Sequence, residues 1–292
     1  MAGRTDLAME ARELWKERAG ETTELPGVRA REHTSRGITS TVVEILDQRG
    51  VRALQKPEGT YVTLELADDL LREPTGFSRA AVRLGRELAA MIPRTGAALV
   101  VGLGNAAVSQ DTIGPRTLDH LLVTRHLQKQ LPQLRSVSAI APGVLGVTGL
   151  ESLEVVRGIV ERAKPACVVA VDALASRSLQ RVCSTIQLAD TGIIPGSGVG
   201  NHRASLDKET LGIPVISVGV PTVVEITAFL EDLADSCGLE TGALQQFGAP
   251  NILLSPRNID AQAARISRLL GYGISLGLHR GLSIHDISCF LS

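Results

Sequence analysis

The chain has 292 residues, of which 44% are hydrophobic, 21% charged and only 2% aromatic, with 29 glycines and a formal net charge of −1. That balance excludes a disordered chain and gives no basic footprint for nucleic acid, since no Lys/Arg block is interleaved with aromatics. It fits a Gly-rich α/β protein with one large core of Leu, Val, Ile and Ala and no direct nucleic-acid partner.

Residues 1 to about 24 are polar and charged, with Leu7, Ala11 and Leu14 at helical spacing, which reads as a frayed N-terminal helix. The first residues lack the apolar stretch of a signal peptide. No segment reaches the ~20 apolar residues needed to span a bilayer, so a cytoplasmic protein with no membrane partner is expected. Cys167, Cys183, Cys237 and Cys289 are scattered without C-x-x-C spacing, against a zinc site or disulfide framework and in favour of a reducing compartment.

From Val28 to Leu66 short alternating runs at 28–32, 40–46 and 60–66 predict a small antiparallel unit beside the main sheet. Ser78 is a plausible N-cap for a helix to about Ile92, with Ala81, Leu84, Leu88 and Met91 on one face. Ala98–Val101, closed by Gly102 and Gly104, reads as a buried parallel strand emptying into a tight turn that delivers Asp111. Pro115 then suits the first position of a helix predicted to reach Gln130.

A short strand at 137–141, a helix at 151–163 and a second apolar strand at 167–171 follow, the last ending on Asp172. The segment 173–181 leads to a strand at 185–188, then Val215–Val220 reads as a buried strand with Pro221 opening a helix. Ile259–Leu278 reads as a long C-terminal helix. This alternation predicts a single α/β domain with a mostly parallel sheet and helices on both faces.

Ligands and catalytic groups gather beyond the carboxyl ends of strands in such sheets. If the strands at 98–103 and 167–171 are parallel neighbours, Asp111 and Asp172 converge there. One ionised carboxylate could take a proton from water while the other, kept protonated by burial and mutual repulsion, polarises a scissile carbonyl. Asp172 could equally cap a helix starting at Ala173. Asp190-Thr191-Gly192 matches the triplet of pepsin-like and retroviral proteases, but those folds are all-β, so Asp190 reads as a supporting or loop-ordering acid.

The glycines at 102–104 and 196–200 could cradle a phosphate. No acid follows to hold a ribose and no Walker lysine follows Gly200. His120 and His126, six apart, do not share a helix face as a metal pair would, and His33, His202, His279 and His285 are scattered. Gly196-Ser197-Gly198 is only a fragment of a nucleophile elbow.

Several long motifs in order, VVGLGN with Asp111-Thr112-Ile113-Gly114-Pro115, TRHL, VSAIAPGV with GVTGLE, AVDALASRS, DTGIIPGSGVGN and GIPVISVGVPTVV, resemble the germination proteases of spore-forming bacteria. The resemblance covers nearly the whole chain. It implies an α/β sheet core distantly like hydrogenase maturation proteases, a homotetramer, and synthesis as an inactive zymogen whose matured form degrades small acid-soluble spore proteins in the spore core. It places an aspartic-type dyad on Asp111 and Asp172; Gly104, Asn105 and Asp190 are expected in support, and no cofactor is expected.

The resemblance also gives Thr5-Asp6-Leu7-Ala8-Met9-Glu10 a meaning, since it looks like the Thr-Glu-Phe/Ile-Ala-Ser-Glu site of the spore proteins. Autocleavage is expected between Asp6 and Leu7, making 1–6 a propeptide and 7–292 the peptidase domain. The propeptide is very short, and the segment between Glu231 and Ala249 looks compact beside the family pattern. Two other readings stay open: a metal-dependent endopeptidase of hydrogenase-maturation type using the same acids, and a non-catalytic nucleotide- or peptide-binding protein.

Overall fold

The computed structural model describes residues 5–19, 25–196, 203–237 and 252–292. Its centre is a nine-stranded sheet in the order β1-β2-β3-β7-β8-β6-β4-β5, with β9 paired to β8. The strands are β1 (Val28–Ser35), β2 (Ile38–Ile45), β3 (Gly59–Leu66), β4 (Ala98–Gly102), β5 (Val137–Ile140), β6 (Cys167–Ser176), β7 (Thr185–Ala189), β8 (Val215–Glu225) and β9 (Leu253–Leu254). Only the β4·β5, β4·β6 and β6·β8 pairings are parallel. All other pairings are antiparallel.

The expected mostly parallel sheet is therefore a mixed one. The N-terminal antiparallel unit is not a separate sheet, because β3 pairs with β7 and carries β1 and β2 into the same surface. The reason is local: β7 returns antiparallel to β8 after the short turn structure at Leu179–Arg181, so its free edge accepts another antiparallel strand.

Helices cover both faces, as alternating side chains of the central strands require. Ala98, Val100, Val169, Val171, Ile216 and Val218 pack beneath α3 (Pro74–Met91), α9 (Ile259–Leu278), α4 (Ile113–Leu118) and α10 (Ile284–Leu291). Leu99, Val101, Val168, Ala170 and Val215 point the other way, toward α6 (Ser152–Ala163) and α7 (Lys208–Leu211). On that same side α1 (Ala8–Ala19) and α2 (Gln48–Leu54) cover the antiparallel half through Ala8, Val43, Leu54 and Ala189. The remaining helices are α5 (Leu145–Thr148) and α8 (Ile226–Ser236).

Four element boundaries differ from the sequence reading. Helix α3 starts at Pro74, with Glu73 as N-cap and Pro74 in the first turn, so Ser78 is interior to it. Helix α4 stops at Leu118 because the next residues find partners elsewhere: Leu122 N–H donates to Ser275 Oγ at 2.9 Å and Thr124 N–H to the Val137 carbonyl at 3.0 Å. His120 and His126 thus share no helix. Strand β6 runs through Asp172 to Ser176, and β8 through Pro221 to Glu225. Pro221 is tolerated because β8 has left β7 beyond Gly219 and lies beside the bulge at Leu174/Ala175.

Over its described residues, 5–19, the N-terminal segment is docked rather than frayed. Leu7 is fully buried, packed with Met9, Leu174 and Ile193. Among the described residues no helix is long and apolar enough to cross a membrane.

Candidate active site

The parallel register of β4 and β6 sets the site. Gly102 pairs with Val171, so β4 ends one residue before Asp172 in register, and the loop after it returns toward that residue. The loop can fold this tightly because Gly102 and Gly114 bring their backbones together: a Cβ on Gly102 would lie 2.5 Å from the Gly114 carbonyl oxygen. The glycines of this turn are thus used for close chain packing, and Asp111 closes a 3-10 turn at Ser109–Asp111.

Asp111 is seated by main chain. Its Oδ2 accepts from Asn105 N–H at 2.8 Å, while the Asn105 side chain accepts from Ala107 N–H at 2.9 Å and shapes the turn. Asn105 supports the acid through its backbone, not its amide. Gly104 has φ +109°, and a Cβ there would lie 2.3 Å from the Asp111 carbonyl oxygen and 2.8 Å from Oδ1. Any side chain at 104 would displace Asp111.

Asp172 lies mid-strand and is 4% exposed. The helix-capping reading fails because the strand continues through Ala173, whose N–H donates to Asp172 Oδ1 at 2.9 Å. Asp111 and Asp172 line one cavity of about 420 Å³, together with Gly104, Gly143, Val144, Pro195, Gly196 and Arg203 among others. The glycine-rich stretches at 143–149 and 192–196 thus contribute to its wall. Residues 197–202, with the rest of the second stretch and His202, and residues 238–251, within the compact segment, lie outside the described residues.

The two acids have different electrostatic surroundings. Burial pushes Asp172 well above the ordinary carboxylate range and the charge of Asp111 adds to this, opposed by N–H donors from Ala173 and Gly196. Asp111 is also raised by burial, but the Asn105 N–H and the Arg203 charge pull it back. Asp172 is therefore the acid more strongly biased toward its protonated form, and Asp111 the one that ionises first. That is the asymmetry a general acid–base pair needs.

Asp190 does not join them. Its Oδ1 accepts from Thr60 N–H at 2.8 Å, tying the end of β7 to the start of β3. Among the described residues no three His, Cys, Asp or Glu side chains come together as a ligand set. Arg203, which lines the cavity and whose charge acts on Asp111, was not singled out from sequence; its signal was an arginine separated from a glycine-rich run by Asn201 and His202.

Fold and site define an α/β protein with a paired-carboxylate cavity at the carboxyl end of its parallel strands, an arrangement suited to general acid–base chemistry. The family model described as "Germination protease" matches residues 8–243. The germination protease of Caldanaerobacter subterraneus is 40% identical over 99% of this chain and 98% of its own. That of Clostridium perfringens strain SM101 is 38% identical over 99% of both, and that of Bacillus cytotoxicus 46% identical over 80% of this chain and 66% of its own. The chain belongs to the germination protease family.

Among solved structures, the NiFe hydrogenase maturation protease HycI of Thermococcus kodakarensis aligns over 64% of this chain and 98% of that one, at 17% identity and a TM-score of 0.34. That degree of likeness carries no weight for the site.

Proposed function

We propose that this protein is a sequence-specific endopeptidase that starts the degradation of small acid-soluble spore proteins during germination, using Asp111 and Asp172 to activate water. The observation that carries the reading is the shared cavity in which burial and the charge of Asp111 push Asp172 up, while the Asn105 backbone N–H and the Arg203 charge pull Asp111 back. Ionised Asp111 takes a proton from water as the oxygen adds to the peptide carbonyl carbon. Protonated Asp172 donates a hydrogen bond to the carbonyl oxygen, and the proton on Asp111 passes to the leaving nitrogen.

On this reading the chain is a zymogen that removes Met1–Asp6 by cutting Asp6–Leu7, works as a homotetramer in the spore core, and needs no cofactor. The test is cleavage of a spore-protein peptide by matured wild type, Asp111→Asn and Asp172→Asn. Each variant should lose about 10²–10⁴-fold in rate; full activity in either refutes the pair. A second reading, with the same acids binding a metal, predicts activity lost to EDTA and restored by a divalent cation. A binding protein without catalysis predicts saturable peptide binding that survives Asp111→Asn, with no cleavage by wild type.

A further inference from the structure

The chain ahead of α1 is docked along β6 like a bound peptide. Asp6 N–H donates to the Ala175 carbonyl at 3.1 Å, and Asp6 Oδ2 accepts from Ala175 N–H at 2.8 Å. This places Asp6 three residues along the strand from Asp172, near enough for its charge to act on that acid. Leu7 follows into its apolar pocket against Leu174 and Ile193.

Two side chains hold the main chain on either side of Leu7. The Gln187 amide donates from Nε2 to the Asp6 carbonyl at 3.0 Å and accepts at Oε1 from Ala8 N–H at 2.7 Å. Lys56 Nζ donates to the same Asp6 oxygen at 2.9 Å and to the Thr5 oxygen at 3.4 Å. The Asp6 carbonyl thus carries two side-chain donors, one of them charged. Burial draws the Lys56 pKa down, opposed by the carboxylates of Asp6 and Glu10, so its ammonium acts where water screens little. These contacts read backbone alone, which suits any peptide laid in the same place.

The register ties this clamp to the aspartates. Asp172 on β6 and Gln187 on β7 are both partners of Gly219 on β8, which places them two strand spacings, or about 10 Å, apart. The space over Gly219 is filled by Leu174: a Cβ on Gly219 would lie 2.3 Å from Leu174 Cδ1. Leu174 lines the aspartate cavity and also a second cavity of about 570 Å³ shared by Asp6, Lys56 and Gln187. It is the partition between clamp and pair.

We propose that Lys56 and Gln187 are the carbonyl clamp of the peptidase: they hold the oxygen of the bond that is cut, first at Asp6–Leu7 and then in substrate. The proposal rests on the reading that Asp6–Leu7 is the processing bond. With Leu174 displaced, the two cavities that it separates become one, so that a peptide held by the clamp lies open to the pair. Water then adds to the Asp6 carbonyl carbon, giving its proton to Asp111, and the carbonyl π pair moves onto oxygen. That oxygen keeps Lys56 and Gln187 as two donors for the oxyanion as it forms. Collapse breaks the bond to the Leu7 nitrogen, which takes the proton from Asp111, leaving a carboxylic acid on Asp6 and an amine on Leu7. After the residues before Leu7 depart, both donors are vacant for an incoming carbonyl.

The experiment follows conversion of the 292-residue chain to the form beginning at Leu7 by mass spectrometry, in wild type, Lys56→Met, Lys56→Arg and Gln187→Glu. Gln187→Glu keeps the acceptor for Ala8 N–H and removes the donor to Asp6. Lys56→Met and Gln187→Glu should slow conversion about 100-fold, the cost of one oxyanion donor, and Lys56→Arg should recover most of it. In matured enzyme acting on a peptide of residues 3–12, both losses should fall on kcat rather than KM. Conversion at the wild-type rate or faster in the two variants overturns the clamp while leaving the processing site standing. A wild type that never cuts Asp6–Leu7 overturns both. If Lys56→Met does not fold, Gln187→Glu decides alone.

Discussion

Asp172 and Glu10 are buried to a similar degree, 4% and 1% exposed, and both lean on the stretch 172–181. Glu10 is surrounded by donors: Arg177 N–H at 2.8 Å, Ser178 N–H at 3.4 Å, Arg181 Nη1 at 3.0 Å and the Thr5 hydroxyl. Glu13 shares the same guanidinium, and Glu65 closes the group from β3. Among the described residues Asp172 takes the N–H groups of Ala173 and Gly196, and the charge of a second carboxylate, Asp111, acts on it. A buried carboxylate given enough donors is an anchor, here the one that fastens α1 to the sheet; burial beside a second carboxylate instead makes Asp172 hold its proton to higher pH than an ordinary aspartate, as an acid must.

The anchor is the easier side of this comparison to break. Arg181, held above its ordinary pKa by Glu13 and Glu10 despite burial, leaves Glu10 buried without its cation when replaced by Ala. Stability to urea should fall by about 3 kcal/mol, at the lower end for a broken buried pair because the two backbone donors remain. An unchanged midpoint would mean that the backbone donors alone suffice.

Gly104→Ala tests the other side. At φ +109° the new methyl is strained and presses on Asp111, so peptide cleavage should drop about 100-fold from misplacement of the acid. Folding should lose only about 1–3 kcal/mol. Wild-type kinetics in that variant would show that Asp111 is not held by this contact.

The smallest effect has an unusual sign. Because the folded pKa of Asp172 is raised, its contribution to stability is intact below the ordinary aspartate value and is lost as pH rises through the folded value. Asp172→Asn keeps an oxygen for Ala173 N–H and carries no charge. It should therefore be more stable than wild type at pH 8, by about 1 kcal/mol for each unit of upward shift, with the gain vanishing near pH 3. A pH-independent difference would contradict the raised pKa.

Much of this was legible in the chain. The continuous apolar runs at 98–101 and 167–171 and the amphipathic stretch at 259–278 marked their elements because periodicity and burial agree there. Strand ends suggested that Asp111 and Asp172 converge but left a helix cap open for Asp172, and the family resemblance weighed for the pair; both acids do line one cavity, although Asp172 sits mid-strand. The misses came where tertiary contacts override local preference: β6 continues through Asp172 because its pairing with Gly219 on β8 carries the strand on, and β8 continues through Pro221 because its missing N–H falls beyond the β7 ladder while its carbonyl still accepts from Cys183 N–H at 2.8 Å. Nothing local announced Lys56, in a Lys-Pro-Glu-Gly turn, or Gln187, inside an apolar strand, as groups that would meet at the Asp6 carbonyl. Their conjunction depends on β3 joining β7, a pairing between segments more than a hundred residues apart.

The central claim is that Asp172 stays protonated while Asp111 ionises. Infrared difference spectra of wild type minus Asp172→Asn and wild type minus Asp111→Asn at about pH 6, some two units above the ordinary aspartate value, test it most directly. The account predicts that the stretch of a protonated carboxylic acid, shifted by deuterium oxide, is lost only in Asp172→Asn, and that Asp111→Asn removes a carboxylate band. A protonated-acid band lost only in Asp111→Asn, or no such band in wild type, would contradict it.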